Sequence, residues 1–460
     1  MTTAIVLFTR DLRVHDHPAL TAACQRADRV VPLFVFDREI LASRYAAPNR
    51  VAQLVDAVRD LRSSLKDLGG ELVVRHGDTR EEVHRLALEV TADELHLSAD
   101  VSSHAHRREE SLRTLATREL RDRLRVHSHD GVMVVPAGEV RPTGGDHFKV
   151  FTPYWRRWVD VPRRDPLPVP SRVSTPTTVA TGRIPALADL TDVDRLAEEL
   201  PSGGESQARA RAEWWFAGPV DAYDETRNHL AVDGTSKLSP HLHLGAISAN
   251  ELADRVDRRQ PGQEAFLQEL CWRDFNHQML AARPDLVHTD IRTQGDRWRD
   301  DAKAAEDAAA WMQGRTGYPV VDAGMRQLQR EGWMHNRARM IVASFLTKHL
   351  YVDWRVGAWH FMDHLVDGDL ANNFGQWQWT AGTGTDSRPN RMFNPVTQSE
   401  RYDPGGVYLR RYVPELTEVD DAHVHAPWEA AGTLLATDTY PAPIVEHRAA
   451  RERFLTARGA

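Results

Sequence analysis

The first third of the chain alternates short continuous apolar runs with longer segments of helical periodicity. The apolar runs are typical of strands buried on both faces, and they lie at residues 4–8, 30–36, 71–76, 94–98 and 125–135. Pro32 weakens the second run, because proline cannot donate a hydrogen bond to a sheet ladder. Apolar residues recur on one helix face from Asn49 to Leu68. The next helix is expected to be capped by Asp78 or Thr79, with Glu82 completing a capping box for Thr79. This alternation predicts an α/β domain built on a doubly wound parallel sheet.

The pattern changes after residue 135. Prolines accumulate between Pro153 and Pro201, which indicates a long connector. From about Glu205 onward strand patterns nearly vanish and helical periods dominate, as they do from Arg337 to Leu350. We therefore predict an α/β domain at 1–135, an interdomain connector at 136–204 and an all-α domain at 205–460.

Composition narrows the function classes. The chain has 460 residues, of which 41% are hydrophobic and 27% charged, as expected for a globular protein without a membrane span. Its N-terminus lacks a basic leader and is typical of a first strand rather than a signal peptide. Cys24 and Cys271 are far apart, which favours a reducing cytoplasm and gives no support for a metal site, so none is expected. Because the net charge is −8, a nucleic-acid partner requires a local basic patch.

The stretch GDLANNFGQWQW, residues 368–379, combines residue types that a folding core does not favour. Asp367 and Asp369 stand two apart, Trp377 and Trp379 also stand two apart, and two asparagines lie between the pairs. Buried carboxylates and amides cost free energy unless each finds a partner. The pattern indicates hydrogen bonding to a flat polar ring inside an aromatic wall, and an irregular loop with Asx turns is the alternative.

Three more segments carry candidate chemistry, and each also has a purely structural interpretation. GTSKLSPHLHLGAIS, residues 234–248, places small hydroxyls and a lysine before a helix. This arrangement is consistent with an anion-binding site and also with a simple helix cap. ELCWRDFNHQ places Glu269 and Trp272 on one helix face. The two residues are consistent with a binding surface and also with a salt bridge beside a core indole. GWMHNRARM places Asn336 and Met340 on one face, where methionine is also a common core residue.

Basic residues concentrate near the C-terminal end of the helical part. Phosphate binding and a solvated charged face are both consistent with this run, which contains Arg388, Arg391, Arg401, Arg410 and Arg411. In the α/β part no GxGxxG follows the first strand, so a dinucleotide fingerprint is absent. A ligand there is expected at the carboxyl ends of the strands, in the loops near Arg10, Asp37 and Asp100.

The motifs resemble, in combination and in order, those of the photolyase/cryptochrome family. They are TSKLSPHLHLG, WRDF, GYPVVDAGMRQL, GWMHNRARM and DGDLANNFGQWQWTAGTGTD, and the resemblance extends from LFTRDLRVHDHPAL to RRYVPEL, nearly the whole chain. It implies a Rossmann-like α/β antenna domain, a connector and an all-α C-terminal domain that binds FAD. Within the family the chain resembles the bacterial class I branch of deazaflavin-antenna type.

The resemblance carries over cofactor roles residue by residue. Asp367 and Asp369 match the acids that bond the isoalloxazine edge, Asn373 faces the central-ring nitrogen, and Arg339 pairs with the first acid. The positions expected to hold FAD are Tyr223, Thr235, Ser236, Lys237, Leu238, Ser239, Glu269, Arg273, Asn336, Arg339, Asp367, Asp369 and Asn373.

Substrate and electron-transfer roles follow from the same resemblance. Trp272 and Trp379 match the walls of the substrate cavity, and Glu269 matches a donor to a pyrimidine carbonyl. The expected substrate and DNA contacts are Glu269, Trp272, Asn336, Arg337, Met340, Trp379 and Arg391. A tryptophan chain toward the flavin is expected to run through Trp377, Trp354 and Trp298. Glu269, Asn373 and these three tryptophans are the expected catalytic residues.

The implied activity is light-driven repair of cyclobutane pyrimidine dimers in DNA, by electron transfer from excited reduced FAD to a flipped-out dimer. A (6-4) photolyase is one alternative, but such enzymes carry histidines where this chain has Asn336 and Met340. A cryptochrome photoreceptor is another, and Asn373 together with the chain end at Ala460 favours repair. An electron-transfer flavoprotein without a DNA role is disfavoured by the paired Trp272 and Trp379. Damaged DNA is then the expected partner of a cytoplasmic monomer.

The antenna site is expected to involve Arg10, Phe36, Asp37, Arg50 and Asp100. Family members that bind a folate have a histidine near position 44 and a glutamate near position 102, where this chain has Arg44 and Ser102. The resemblance therefore favours 8-hydroxy-5-deazaflavin, and methenyltetrahydrofolate, a flavin or an empty site are the alternatives.

Overall fold

The computed structural model describes residues 1–430 and 440–459. Contacts divide the chain into two compact units. The first unit contains Met1–Arg195, Pro201–Asp221 and Ser236–Pro284, and the second contains Leu196–Leu200, Ala222–Thr235 and Asp285–Ala460.

The strands are β1 (Thr3–Phe8), β2 (Arg29–Asp37), β3 (Val73–Gly77), β4 (Glu94–Ser98) and β5 (Arg125–His129). The α-helices are α1 (Pro18–Arg26), α2 (Arg38–Leu41), α3 (Pro48–Asp67), α4 (Thr79–Val90), α5 (Ser103–Thr114), α6 (Phe151–Trp158), α7 (Glu205–Phe216), α8 (Tyr223–Thr226), α9 (Ser239–Leu244), α10 (Ala249–Asp254), α11 (Pro261–Ala282), α12 (Ala302–Met312), α13 (Pro319–Glu331), α14 (Asn336–Ser344), α15 (Trp354–His364), α16 (Leu370–Ala381), α17 (Pro395–Tyr402), α18 (Val407–Tyr412) and α19 (His447–Ala457). Short 3-10 or π-helical turns lie at Leu115–Glu119, Leu187–Asp189, Val193–Arg195, Pro219–Ala222, Pro284–Val287, Phe345–His349, Pro414–Leu416 and Pro427–Ala430.

The first unit is built on a five-stranded parallel sheet with strand order β3-β2-β1-β4-β5. Alternate residues of β1 enter two separate cores, because successive side chains of a strand point to opposite faces. Val6 and Phe8 pack with α1 and α3 on one face, whereas Ile5 and Leu7 pack with α4 and α5 on the other. The predicted doubly wound α/β domain is confirmed.

Pro32 lies inside β2 without disrupting it. The N–H of Val30, two residues earlier, points away from β1 and donates to Ser174 O at 3.0 Å. Because Pro32 lies two residues after Val30, its nitrogen also points away from β1. On that side β3 begins pairing with β2 only at Leu33. The lack of an N–H group at Pro32 therefore costs no sheet hydrogen bond, because β3 does not extend along this part of β2.

The predicted strand at 125–135 is too long, since β5 ends at His129. The apolar residues beyond it are nevertheless buried. Asp274 of α11 accepts hydrogen bonds from the N–H groups of Val134 and Val135 at 3.3 and 2.9 Å, which replaces a sheet ladder. For α4, the N-cap is Asp78, whose carboxylate accepts from the N–H of Glu81, so a capping box of Thr79 with Glu82 is not formed.

Among its described residues the second unit contains helices and connecting loops but no strand. Helix α13 packs against α12, α14, α17 and α18, helix α15 packs against α16, and α19 packs against Phe345–His349. Trp311, Trp354 and Trp377 are buried in this unit. None of the described helices has the length and apolar character needed to cross a membrane.

Candidate functional site

Two buried carboxylates stand at the N-terminus of α16 in the second unit. Arg339 of α14 donates from Nη2 to both oxygens of Asp367, at 2.8 and 3.1 Å. Asp369 is the N-cap of α16, and its Oδ1 accepts from the backbone N–H and the side-chain amide of Asn372 at 2.9 and 2.8 Å. Both acids are thus fixed by neighbours, and Arg339 places a positive charge beside the first.

Asp369, Asn373 and Trp377 follow one another at intervals of four and therefore share one stripe of α16. The Nδ2 group of Asn373 donates to Ala358 O of α15 at 2.9 Å, which fixes the amide and leaves its oxygen as an acceptor. Trp377 packs where a side chain of Gly357 would lie, since a Cβ there would be 2.1 Å from the indole. Helix α15 thus holds both residues in place.

Trp379 lies on another side of α16 and is partly exposed. The guanidinium of Arg391 stands 5.2 Å from the ring of Trp379 and 5.2 Å from the ring of Phe393. This double contact holds an exposed cation beside an accessible indole. The sequence did not single out Phe393, since aromatic–arginine stacking leaves no spacing pattern.

Buried Lys348 anchors the loop that carries Arg391. Its Nζ donates to Pro389 O at 3.0 Å and to Arg391 O at 2.6 Å. Burial lowers the pKa of Lys348 to about 7, with the nearby Arg458 contributing in the same direction. Sequence reasoning missed this residue, because an isolated lysine on a helical pattern is usually solvated.

Besides Arg339, helix α14 carries three predicted site residues. Asn336 is exposed, and Met340 is partly buried. Arg337 donates from Nη2 to the side-chain oxygen of Asn228 at 2.6 Å and lies 4.5 Å from the ring of Tyr402. Burial lowers the pKa of Arg337. Asn228 and Tyr402, which position this arginine, are distant in sequence and were not predicted.

Trp354 begins α15, and its Nε1 donates to Asp290 Oδ1 at 3.0 Å. It lies one helical turn before Gly357, against which Trp377 packs. Trp298 is partly exposed and lines a surface groove of about 610 Å³. Its ring centroid is 5.0 Å from that of Tyr351. The three tryptophans of the expected chain therefore lie in one unit.

The first unit contains the remaining ring-binding candidates on α11. Trp272 stacks face to face on Phe151, with ring centroids 3.7 Å apart and an interplanar angle of 5°. Glu269 is partly exposed one turn earlier. Buried Arg273 donates to Val132 O at 2.8 Å and to Leu242 O at 3.4 Å, so it ties α11 to the loop after β5 and to α9. The stacking partner Phe151 lies in the predicted connector and was missed.

The predicted anion-binding segment divides between the units. Tyr223 and Thr235 belong to the second unit, where Thr226 Oγ1 donates to Gly234 O at 3.3 Å. Ser236, Lys237, Leu238 and Ser239 belong to the first, and of these Leu238 is buried while Lys237 and Ser239 are exposed. Lys237 adopts φ 51°, a left-handed conformation uncommon for a residue other than glycine.

Comparison with known proteins identifies the family. The model described as the FAD binding domain of DNA photolyase matches residues 266–460, and the one described as DNA photolyase matches residues 4–171. A deoxyribodipyrimidine photo-lyase of Streptomyces griseus is 50% identical over 462 residues, covering 100% of this chain and 100% of that protein. The chain belongs to the photolyase/cryptochrome family.

Solved structures of photolyases and cryptochromes share the fold. A bacterial class III photolyase from Agrobacterium tumefaciens is 34% identical with a TM-score of 0.89, covering 100% of this chain and 97% of that chain. A cryptochrome of Synechocystis sp. PCC6803 is 29% identical with a TM-score of 0.88, covering 99% of each chain. The first of these differs in class from the class I branch expected from the sequence.

The residues of the acid site fit FAD, the cofactor of this photolyase domain. Asp367 and Asp369 are 7% and 6% exposed, and buried carboxylates require donors. A carboxylate has about four acceptor sites, so both keep capacity for ring N–H and hydroxyl groups beyond the bonds to Arg339 and Asn372. The oxygen of Asn373 adds a third acceptor on the same helix.

Four of the five predicted antenna residues of this photolyase-family chain lie at the carboxyl ends of strands in the first unit, and the fifth, Arg50, lies in α3. Arg10 after β1 and Asp100 after β4 form an ion pair, with Nη1 and Oδ2 3.2 Å apart. Asp37 ends β2, caps α2 and accepts from Thr79 Oγ1 at 2.5 Å. Arg50 donates to Tyr45 O at 2.7 Å.

Phe36, the fifth antenna candidate, lines a cavity of about 530 Å³ between the ends of β2 and β3. Its ring stacks on His76, with centroids 5.0 Å apart and an interplanar angle of 12°. Arg38 and Arg183 also line the cavity. Sequence reasoning found Phe36 by its strand-end position but missed the basic residues, one of which comes from the proline-rich segment.

Proposed function

We propose that this protein is a deoxyribodipyrimidine photo-lyase that repairs cyclobutane pyrimidine dimers in DNA under light. The observation that carries the proposal is the acid site of α16, in which the Asp367–Arg339 pair stands beside Asp369 and the fixed amide of Asn373. When bound there in its reduced form, FAD supplies an electron to the dimer after absorbing light. A relative 50% identical over the whole chain carries the name of this activity.

In this proposal the acid site orients and tunes the flavin ring. Asp367 and Asp369 accept hydrogen bonds at the polar edge of the ring. Arg339 remains beside Asp367, whose side chain is 3% exposed, and offsets negative charge there. Asn373 presents its amide oxygen to the ring nitrogen that carries a proton on reduction, because its NH₂ group is bound to Ala358.

The substrate is recognised by flat apolar surfaces and a few hydrogen bonds, as flipped bases require. Trp272 and Trp379 provide the surfaces, and Phe151 keeps the indole of Trp272 in one orientation. Glu269 donates a hydrogen bond from its protonated carboxyl to a pyrimidine carbonyl as negative charge develops there. Asn336 and Met340 complete the contacts with the bases, and Arg337 and Arg391 bind backbone phosphates.

The other cofactor contacts are proposed at Tyr223, Thr235–Ser239 and Arg273. Hydroxyl groups, backbone N–H groups and the ammonium of Lys237 suit the phosphates. Trp377, Trp354 and Trp298 are proposed to pass electrons inward from the surface. Burial of the first two and partial exposure of the third support that direction.

Repair of a defined lesion tests the function. Photoreduced protein is illuminated with an oligonucleotide that carries one cyclobutane thymine dimer, and a second oligonucleotide carries a (6-4) lesion. Loss of the cyclobutane dimer in light, none in the dark and none of the (6-4) lesion is expected. No repair by protein that retains fully reduced FAD would contradict the proposal and favour the photoreceptor or (6-4) alternatives.

We also propose a class I antenna that binds 8-hydroxy-5-deazaflavin near Arg10, Phe36, Asp37, Arg50 and Asp100. Among these five residues Phe36 lines the 530 Å³ cavity, where its ring and the basic side chains of Arg38 and Arg183, beside the acidic Asp189, support a planar anionic chromophore. Extraction of the chromophore and the wavelength dependence of repair test this proposal. Methenyltetrahydrofolate or a second flavin in the extract would overturn it, as would a repair spectrum that follows reduced FAD alone.

We propose that the chain consists of an antenna domain at 1–135, a connector at 136–204 and a FAD- and DNA-binding domain at 205–460. Damaged DNA is its proposed partner, and a cytoplasmic monomer without an obligate protein partner is its proposed state. The two free cysteines, Cys24 and Cys271, suit a reducing compartment. Light scattering of the purified protein, alone and with a short duplex, tests the monomer.

A further inference from the structure

A cluster of metal-binding side chains lies on the edge of the sheet, among residues given no role in repair. Glu94 and His96 are two apart on β4, so both side chains point to the same face of the sheet. His127 of β5 is the direct register partner of His96 and points to that face as well. Strand geometry alone therefore brings a carboxylate and two imidazoles together.

The three potential ligand atoms lie close enough to share one ion. His96 Nε2 is 3.0 Å from Glu94 Oε2, and His127 Nε2 is 3.9 Å from Glu94 Oε1. All three atoms lie within 4.8 Å of one another. Zinc bound at about 2.0–2.1 Å in a tetrahedral site separates its ligands by about 3.3 Å, so only small rotations are needed.

The hydrogen bonding of the two histidines is compatible with metal binding. His127 Nε2 is shielded from solvent and makes no hydrogen bond with any residue that the structure describes. His96 Nδ1 is 2.9 Å from His129 Nε2. His129 Nε2 therefore accepts a hydrogen bond from the Nδ1–H group of His96 when Nε2 of His96 binds a metal.

Two arginines compete for the same carboxylate. Arg26 donates from Nε to Glu94 Oε2 at 3.0 Å and from Nη2 to Oε1 at 2.9 Å, and Arg125 Nη2 lies 3.0 Å from Oε1. Their side chains are 49% and 62% exposed, whereas that of Glu94 is 3% exposed. A zinc ion would have to displace a contact to Glu94 Oε1, and the guanidinium of Arg125 can move into water while Glu94 stays in place.

We propose that Glu94, His96 and His127 form a Zn²⁺ site, with water in the fourth position. The His₂Glu donor set is one that zinc adopts in proteins, and it requires no cysteine. Partly exposed His127 provides the entry path. The ion would tie edge strand β5 to β4, so its effect is structural and separate from the repair chemistry.

Zinc binding to the untagged protein, freed of metal with a chelator and then dialysed, is the direct test. Calorimetric titration with Zn²⁺ is expected to show one site that His127→Ala weakens at least tenfold, while H106A at an exposed histidine leaves it unchanged. Co²⁺ should give the intense visible bands of a tetrahedral site in the wild type and lose them in H127A.

Arg125→Gln distinguishes the proposed site from adventitious histidine binding. Because it removes a competitor for Glu94, it should tighten Zn²⁺ binding, and E94Q should weaken it. Zinc should also raise the melting temperature of the wild type but not of H127A. Undetectable Zn²⁺ binding in the wild type, or equal affinity in the wild type, H127A and R125Q, would overturn the proposal.

Discussion

At the scale of single residues, Lys348 gives a pH dependence with a definite sign. Burial lowers its pKa from 10.5 to about 7. Between these values the unfolded chain binds a proton that the folded protein does not, so the free energy of unfolding rises with pH. The slope is about 1.4 kcal/mol per pH unit at most. The resulting contribution of Lys348 to the free energy of unfolding is fully present above pH 10.5 and is lost as pH falls through 7.

Comparison with Lys348→Met isolates this group from the other titrating residues. Urea denaturation at several pH values between 7 and 9.5 should show the wild type gaining stability relative to K348M as pH rises. Lys66→Met, at a lysine whose side chain is 57% exposed, is the matched control and should give a constant difference. A K348M difference that is also independent of pH would show that Lys348 keeps an ordinary pKa.

Glu269 tests the proposed chemistry at one side chain. Loss of a donor to a developing negative charge typically costs about 10²-fold in rate, so Glu269→Ala should slow single-turnover repair by that order. Glu269→Gln keeps a donor and should retain more activity than E269A. The neighbouring Gln268→Ala is the control. Equal rates for E269A and E269Q would exclude hydrogen-bond donation as the role of Glu269.

The residues of the acid site were predictable because they stand in one short segment with unusual polarity. The positions that support them were not. Phe151 and Tyr402 contact site residues that are distant in the chain, whereas Phe393 contacts Arg391 two positions away, and stacking on a flat ring imposes no spacing. Lys348 was missed because its bonds go to backbone carbonyls, which are the same for every residue type.

At the scale of elements, the contact between α15 and α16 depends on a missing side chain. A Cβ at Gly357 would lie 2.1 Å from the ring of Trp377 and 2.6 Å from Leu346. Gly357→Ala should therefore force the helices apart and destabilise the protein by about 1–3 kcal/mol, as overpacked cores do. Urea denaturation measures the change.

The matched control is Gly144→Ala, since a Cβ there has nothing within 4 Å. The stability of this variant should stay within about 0.5 kcal/mol of the wild type. Tryptophan fluorescence should report a changed environment of Trp377 in G357A but not in G144A. Wild-type stability of G357A would show that α15 and α16 are not held at the distance described.

The strands show which elements can be predicted from sequence. β4 was predicted with its observed ends, because Leu95 and Leu97 alternate with polar residues in a segment too short for a helix. The run that begins with β5 was extended too far, because buried valines look the same whether they pair in a sheet or not. Asp274, about 140 positions away, bonds the backbone of Val134 and Val135, and no local pattern indicates that.

At the scale of the whole molecule, a net charge of −8 must be reconciled with a DNA partner. The proposed function requires that binding depend on a few local cations and not on the overall charge. Arg391 meets this requirement, since it is exposed and its position over Trp379 and Phe393 is fixed. Each neutralised phosphate releases counterions, so affinity falls with salt in proportion to the number of such contacts.

Arg391→Ala should accordingly weaken binding to an oligonucleotide that carries a cyclobutane dimer and reduce the salt slope by about one. Fluorescence anisotropy titrations at several salt concentrations measure both quantities. Arg113→Ala, at an exposed arginine of α5 paired with Glu109, is the control and should change neither. If R391A weakened binding without changing the slope, Arg391 would act by holding Trp379 against the bases. An unchanged affinity would remove the loop of Arg391 from the DNA interface altogether.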